Sequence, residues 1–135
     1  MQLLGLSWAQ ADRGLVERQA RKLLAGQQPG GGWSQLGTPE ADAYATGQAL
    51  VALYTAGALQ PTDPAYVHAV DYLLRTQCAD GSWLVVSRSF PVQPYKESGF
   101  PHGKDQWISA AGTSWAAMAL GMAATNPASA TVHSR

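Results

Sequence analysis

Apolar residues recur at helical spacing along most of the chain, and the pattern falls into two halves of the same design. In each half the first stretch, residues 12–27 and then 63–76, carries apolar residues three and four positions apart with polar residues between them, which predicts an amphipathic helix with a solvated side. The second stretch, residues 38–56 and then 105–124, is almost free of charge after its first residues, which predicts a buried helix. Each half is therefore predicted to be a hairpin of one outer and one inner helix.

Three of these helices begin at a recognisable capping sequence. Asp12 can accept hydrogen bonds from the first backbone amides of its helix. Thr38 and Asp63 are each followed by a proline, which is favoured at the first helical position. The inner helix of the first half is therefore predicted to begin at Thr38, and the outer helix of the second half at Asp63. Residues 2–9 have the pattern of the last turns of a further helix.

The loops between the outer and inner helices are copies of one motif. QQPGGGW, residues 27–33, and QCADGSW, residues 77–83, share a glutamine, three residues, a glycine, one residue and a tryptophan. The two tryptophans are about 50 residues apart, a spacing typical of repeat proteins. The match continues into the inner helices, where residues 46–53 align with residues 113–120 once an insertion in the second copy is allowed.

On this duplicated motif the chain resembles the squalene cyclase and protein prenyltransferase superfamily, whose repeats carry the same glutamine-tryptophan motif. The resemblance implies an all-α fold of antiparallel helical hairpins that form part of an α/α toroid, with inner and outer rings of helices around a central cavity. It also implies that the motif residues are structural and not catalytic. These residues are Gln27, Gly31, Trp33, Gln77, Gly81 and Trp83.

The repeats define the expected domain organisation. We expect one partial toroid domain over residues 2–125, with repeat one at about 12–57, repeat two at about 63–124 and a loop insertion at about 84–104. Residues 126–135 read as a disordered tail. Because residues 2–9 resemble a helix without its first turns, we expect the chain to be the C-terminal piece of something longer.

Composition indicates which kinds of partner the chain can have. Charged residues make up 13% of the chain and hydrophobic residues 46%, so part of the surface is expected to face a partner. The partner is expected to be missing N-terminal repeats of a longer chain or a second copy of this chain. The apolar surface left uncovered is expected to include the partial N-terminal helix, with Leu3, Leu4, Leu6 and Trp8. The formal net charge is zero with no basic run, which argues against nucleic-acid binding. The sequence shows neither a transmembrane span nor a signal peptide, and localisation stays open.

The site of the initiating acid is altered relative to the resembling cyclases. Those enzymes carry an Asp-x-Asp-Asp-Thr run after such a loop, and the resemblance implies that its acid protonates an alkene or epoxide. Here the comparable run is DAYAT, so Asp42 and Thr46 match while Tyr44 and Ala45 replace the two other acids. We expect Asp42 and Thr46 to cap or pack the start of an inner helix; the alternative keeps Asp42 as a substrate-pocket acid.

No metal or other cofactor is expected from the sequence. The resembling prenyltransferases bind zinc through an Asp-x-Cys pair and a distant histidine. Cys78, the only cysteine, is followed by Asp80 in the reverse order and inside the motif loop. The three histidines, His68, His102 and His133, show no ligand spacing.

The insertion at 84–104 and the start of the following helix place aromatic residues beside titratable ones. One interpretation is a pocket rim or partner surface, since aromatic and charged groups together suit binding. The other is a lid packed by its own aromatics over the helix ends. The residues concerned, with the tyrosine of the altered acid run, are Tyr44, Tyr95, Phe100, His102, Asp105 and Trp107.

Two hypotheses for the function follow. In the first, the chain is part of a terpenoid cyclase-like or prenyltransferase-like enzyme that acts on or binds an isoprenoid, with the proton-donor acids missing from this piece. In the second, it is a non-catalytic helical-repeat scaffold or protein-binding module. The missing acids and repeats favour the second hypothesis, and the resemblance favours the first.

Overall fold

The computed structural model describes residues 2–36, 38–90, 92 and 94–125. These residues form five α-helices and one short 3-10 helix, Gly103–Asp105, and they contain no β-strand. This confirms the prediction of an all-α fold. The α-helices are α1 Gln2–Trp8, α2 Arg13–Leu24, α3 Ala43–Thr55, α4 Pro64–Thr76 and α5 Gln106–Ala124.

Helix α2 starts where its cap predicts but ends three residues early. The Asp12 carboxylate accepts a hydrogen bond of 3.1 Å from the Leu15 amide. At the other end, the Leu23 carbonyl would accept the next helical hydrogen bond from the Gln27 amide. That carbonyl instead accepts 2.7 Å from the indole N–H of Trp33 and 3.0 Å from the Gly26 backbone amide. The Gln27 backbone amide donates to the Leu24 carbonyl. The helix therefore stops at Leu24 and not at Gln27.

The predicted start of the first inner helix at Thr38 is wrong, because α3 begins only after Asp42. Residues Ser34 and Ala41 form an isolated antiparallel bridge, and the Asp42 amide donates to the Trp33 carbonyl at 3.1 Å. These contacts place Ala41 in a bridge to Ser34, so the residues just before Asp42 are not helical. The Asp42 carboxylate then caps α3 by accepting 2.8 Å from the Ala45 amide.

The core is built on the packing of α3 against α5. Helix α3 is buried on nearly every side, with Leu50 and Leu53 fully buried. Two glycines lie at this contact: a Cβ atom on Gly47 would lie 2.6 Å from the Trp115 carbonyl carbon, and one on Gly112 would lie 3.4 Å from the Tyr44 amide nitrogen of α3. The uncharged character of the two inner helices is thus explained by their mutual burial.

The outer helices are only partly as predicted. On α4, Tyr66 and Leu73 are fully buried, and the Tyr66 hydroxyl donates 2.7 Å to the Ala119 carbonyl of α5. Val67 and Leu74, predicted on the same apolar face, are more than half exposed. They lie one position along the helix from the buried residues and thus on its outer side.

The flank formed by α1 also differs from expectation. Leu3 and Leu4 were expected to lie on an uncovered apolar surface, but both are buried. Helix α1 contacts both α2 and α3, and these helices cover the two leucines. Trp8 remains 70% exposed.

The predicted disordered tail at 126–135 lies outside the described residues. Among the helices that are described, none has both the length and the apolar character required to span a membrane.

Replacing Gly47 with alanine should lower the free energy of unfolding by about 1–3 kcal/mol, the usual cost of forcing extra volume into a packed core. The added methyl group would press on the backbone of α5, which cannot move aside locally. Gly121→Ala is the control, because nothing lies within 4 Å of a Cβ atom added there. That variant should gain up to about 1 kcal/mol from better helix propensity. Urea denaturation measures both, and equal stability of the two variants would contradict the close helix contact.

Tyr66→Phe should make the protein less sensitive to alkali. Burial, and then the nearby Tyr54, raises the pKa of Tyr66 from 10.0 to about 12. The folded state thus holds this proton more tightly than the unfolded chain does. Wild-type stability should therefore hold below the unfolded pKa of 10.0 and fall as pH rises towards about 12.

At neutral pH, Tyr66→Phe should cost about 0.5–1.5 kcal/mol for the lost hydrogen bond. Denaturant titrations across the alkaline range compare the two proteins. Parallel loss of stability in both would show that Tyr66 does not carry the effect.

Candidate functional site

The first glutamine-tryptophan turn, residues 27–33, connects the end of α2 to the start of α3 through three side chains. The side-chain amide of Gln27 donates 2.9 Å to the Gly31 carbonyl, closing the turn. The Trp33 indole N–H donates to the Leu23 carbonyl at the end of α2. The Trp33 backbone amide donates 2.9 Å to the Thr46 hydroxyl on α3. Polar groups left over at the helix end are thus satisfied where two helices meet.

The second turn, residues 77–83, repeats these contacts atom for atom. Gln77 donates 2.9 Å to the Gly81 carbonyl, and the Trp83 indole donates 2.8 Å to the Leu73 carbonyl. The Trp83 amide donates 3.0 Å to the Thr113 hydroxyl. Gly31 and Gly81 both have positive φ angles, 94° and 85°, which glycine adopts without steric cost.

The two turns differ in what covers them. Helix α4 packs on the first turn, where Gln27 also donates 2.8 Å to the Ala65 carbonyl. A Cβ atom on Gly31 would lie only 2.3 Å from the His68 carbonyl oxygen. On the second turn Gln77 and Gly81 are exposed, and the atom nearest to a Cβ on Gly81 is the Gln77 side-chain nitrogen at 4.0 Å. Within the described residues, no helix takes the place of α4 there.

Asp42 is largely buried and serves as the cap of α3. One carboxylate oxygen accepts from the Ala45 amide, and the other accepts 2.6 Å from the side-chain amide of Gln35. Burial, with the negative charge of Asp42, raises the pKa of Tyr72, which Arg75 partly offsets. Asp42 therefore satisfies backbone and side-chain donors around the first turn.

A groove of about 780 Å³ lies beside this cap, between α1, α2 and α3. Its lining includes Trp33, Leu36 and Tyr44, together with Lys22 and Gln48. Leu36 is fully exposed at its edge. Of the predicted pocket residues, only Tyr44 lies here; the other five belong to the insertion and the start of α5 and do not line the groove.

The insertion is held by hydrogen bonds to the start of α5. Gln106 is fully buried and bonds the Ser98 amide and hydroxyl, the Tyr95 hydroxyl and the Gly103 carbonyl. Trp107 donates 2.9 Å to the Lys96 carbonyl. The rings of Tyr95 and Trp107 remain more than half exposed, so polar contacts to a buried glutamine do more to hold this loop than aromatic packing. The sequence does not reveal the role of Gln106, because a glutamine at a helix start carries no signal of burial.

Asp105 and the Tyr95 hydroxyl also hold the insertion. Asp105 accepts 2.9 Å from the Ser87 amide. The Tyr95 hydroxyl donates 2.6 Å to Glu97, and this hydrogen bond raises the pKa of Tyr95 and lowers the pKa of Glu97. Phe100 contacts His102, with ring centroids 6.3 Å apart.

His102 brings the insertion back to the second turn. Its Nε2 atom lies 2.7 Å from the Ser82 hydroxyl, and the Ser82 hydroxyl and amide both bond the Asp80 carboxylate, at 2.6 and 2.9 Å. These bonds, followed by the charge of His102, lower the pKa of Asp80. Cys78, Asp80 and His102 offer ligand atoms within 4.8 Å of one another. The sequence does not predict this cluster, because His102 follows Asp80 only after a long loop whose path the sequence does not reveal.

Comparison with known families agrees with the duplicated turn. The family model of the squalene-hopene cyclase C-terminal domain matches residues 1–134. The chain belongs to this family. No curated protein and no solved structure gives a significant match. Membership confirms the resemblance inferred from the two motif copies, and the helical structure agrees with the repeat fold of this domain.

In this cyclase-family chain the two tryptophans should be major determinants of stability. Trp33 and Trp83 are each 3% exposed, so Trp33→Ala or Trp83→Ala should cost about 3–5 kcal/mol. Trp8→Ala, at a residue that is 70% exposed, should change stability by less than about 0.5 kcal/mol. Chemical denaturation followed by far-ultraviolet circular dichroism measures all three. If Trp33→Ala and Trp8→Ala had the same midpoint, the indole would not hold the turn.

Proposed function

We propose that this chain is a squalene cyclase-like repeat domain that works within a larger toroid and contributes its inner helices to the wall of an isoprenoid-binding cavity. The observation that carries the proposal is the atom-for-atom repetition of the contacts around Trp33 and Trp83, in a chain of the squalene-hopene cyclase C-terminal family. In toroids of the kind the sequence resembles, such hairpins stand side by side around a central cavity.

The exposed second turn supports the proposal that a further repeat packs beside this chain. On the first turn, α4 supplies the Ala65 carbonyl as an acceptor for Gln27 and also carries Arg75, which donates 2.9 Å to the Gly30 carbonyl. The matching surface around Gln77 and Gly81 is exposed and has the same turn geometry. An outer helix from a further repeat would find a glutamine donor at Gln77, in place of Gln27, a backbone carbonyl acceptor in the turn, and room for the same close approach to Gly81.

The role of Asp42 as a helix cap supports the proposal that this domain does not supply the initiating acid. Both of its oxygens accept hydrogen bonds from groups around the first turn, so its geometry is that of a structural carboxylate. Tyr44 occupies the position of the next acid in the family run. A phenol is a much weaker acid than a carboxylic acid and is too weak to protonate an alkene.

The groove beside Tyr44 is the proposed contact surface for an isoprenoid chain. Its volume of about 780 Å³ falls within the range of about 300–1,000 Å³ usual for small-molecule pockets. Tyr44, which is half-buried, offers aromatic surface to an apolar chain, and Gln48 lies on the groove side of α3.

A non-catalytic scaffold is the second candidate. Leu36 is fully exposed at the groove edge and Trp8 is mostly exposed on α1. Large apolar side chains in such positions suit contact with a protein partner. On this reading the same groove would bind a side chain of the partner and not an isoprenoid.

The test combines an activity assay with a binding assay on the purified chain. Squalene should give no cyclised product above an Asp42→Asn control, which keeps a capping side chain but removes the acid. Farnesol should quench tryptophan fluorescence saturably, and Gln48→Trp, which fills the groove, should weaken its binding about tenfold or more. Ala117→Trp, at an exposed position on α5, is the matched control and should bind as wild type does.

Cyclised squalene above the control would overturn the claim that the acid is missing. Farnesol binding that is absent, or equally affected by both tryptophan variants, would favour the scaffold.

A further inference from the structure

Outside the groove, Cys78, Asp80 and His102 form a mixed cluster of a sulfur, an oxygen and a nitrogen donor. Cys78 and Asp80 lie on the second turn, and His102 lies at the end of the insertion, just before the 3-10 helix. Their ligand atoms are all within 4.8 Å of one another. These three side chains take no part in the contacts that the two turns share, and they do not line the groove.

We propose that Cys78, Asp80 and His102 bind a zinc ion, which fastens the insertion to the second turn. This departs from the expectation, drawn from sequence spacing, that the chain holds no metal. Thiolate, imidazole and carboxylate are the three ligand types that zinc takes in proteins, whereas magnesium and calcium prefer oxygen ligands throughout. Three protein ligands leave a fourth tetrahedral position for water.

The spacing of the donors is compatible with this ion. Zinc bonds of about 2.0–2.3 Å place the corners of a tetrahedron about 3.3–3.8 Å apart. The three ligand atoms lie at most 4.8 Å apart, so the widest pair needs to approach by at most about 1–1.5 Å when the ion binds. Side-chain rotation within two loops can supply that movement.

Ser82 prepares two of the ligands. It is buried, and its hydroxyl lies between the Asp80 carboxylate and Nε2 of His102. A carboxylate only accepts, so the Ser82 hydroxyl gives its single proton to Asp80, and Nε2 of His102 must donate to Ser82. When the ring is neutral, as it is in a metal-bound histidine, this tautomer leaves the lone pair on Nδ1. Metal-binding histidines are commonly held in this way by a hydrogen bond to the other ring nitrogen.

The cluster is specific to the second turn. On the first turn, the positions that match Cys78, Asp80 and Ser82 by their offset from the tryptophan are Gln28, Gly30 and Gly32. None of these residues offers a zinc ligand of the usual kind. The first turn is instead covered by α4, as the Gln27 bond to Ala65 shows. The proposed ion thus anchors the insertion at a turn that no helix of the described residues covers.

His102 adopts a conformation that fits an anchoring role. Its φ angle is 85°, in the left-handed region that non-glycine residues seldom occupy. Such a conformation persists only where surrounding contacts hold it. Coordination of the ring, together with the Ser82 bond and the contact to Phe100, would hold it in place.

The experiment is metal binding by the purified full chain, kept reduced and freed of metal with a chelator. Zinc should bind at one ion per chain by equilibrium dialysis with elemental analysis. Cobalt, used as a spectroscopic substitute, should give a thiolate charge-transfer band that Cys78→Ser abolishes. Since losing even an outer partner of a ligand costs about 10–100-fold in metal affinity, His102→Gln should weaken zinc binding by at least about 100-fold. His68→Gln, at an exposed histidine on α4, should bind zinc as wild type does.

A second readout follows the insertion itself. Zinc should slow trypsin cleavage after Arg88, Lys96 and Lys104, all exposed in or next to the insertion, and leave cleavage after Arg13 unchanged. Cys78→Ser should lose this protection while its circular dichroism matches that of wild type. The proposal is overturned if zinc does not bind stoichiometrically, if cobalt gives no thiolate band, or if Cys78→Ser and His102→Gln bind as tightly as His68→Gln. It is also overturned if zinc leaves the alkylation rate of Cys78 unchanged, since that thiol is then a free nucleophile and not a ligand.

Discussion

The structure depends on one hydrogen bond that is made twice: an indole N–H of a turn tryptophan given to a carbonyl near the end of the preceding outer helix. At Leu23 this bond uses the acceptor that would have continued α2, so the same contact ends the helix and places the tryptophan between two helices. The backbone amide of each tryptophan then bonds a threonine on the inner helix. A single residue thereby sets where the outer helix stops and how the inner helix lies against it.

The inner helices meet through glycine and small residues, which explains why their sequences contain almost no charge. Gly47 lies directly against the α5 backbone, and Gly112 lies against Val85 of the insertion. Helices that approach this closely have no room for long polar side chains on the shared face. The outer helices keep their charges because solvent reaches one side of each. Burial is therefore graded across the hairpin, from the fully packed α3 to the half-exposed α4.

The insertion shows how one repeat can acquire a property that its twin lacks. Gln106 holds the loop at the start of α5, and His102 returns it to Ser82 on the second turn. The first repeat has no such loop, and its turn is covered by α4 instead. In the first repeat, Asp42 caps helix α3.

The sequence by itself determined the helical class, the two hairpins, the duplicated turn and the cap at Asp12, because each depends on hydrogen bonds or periodicity within a few residues of the chain. The family followed from the same local motif. Only the tertiary structure decided that α3 begins after Asp42 and not at Thr38, because the Trp33 carbonyl binds the Asp42 amide across a loop. Burial of Leu3 and the meeting of Cys78 with His102 likewise depend on how distant segments pack. A local pattern specifies which groups need partners, and the path of the loops between them decides which partners they find.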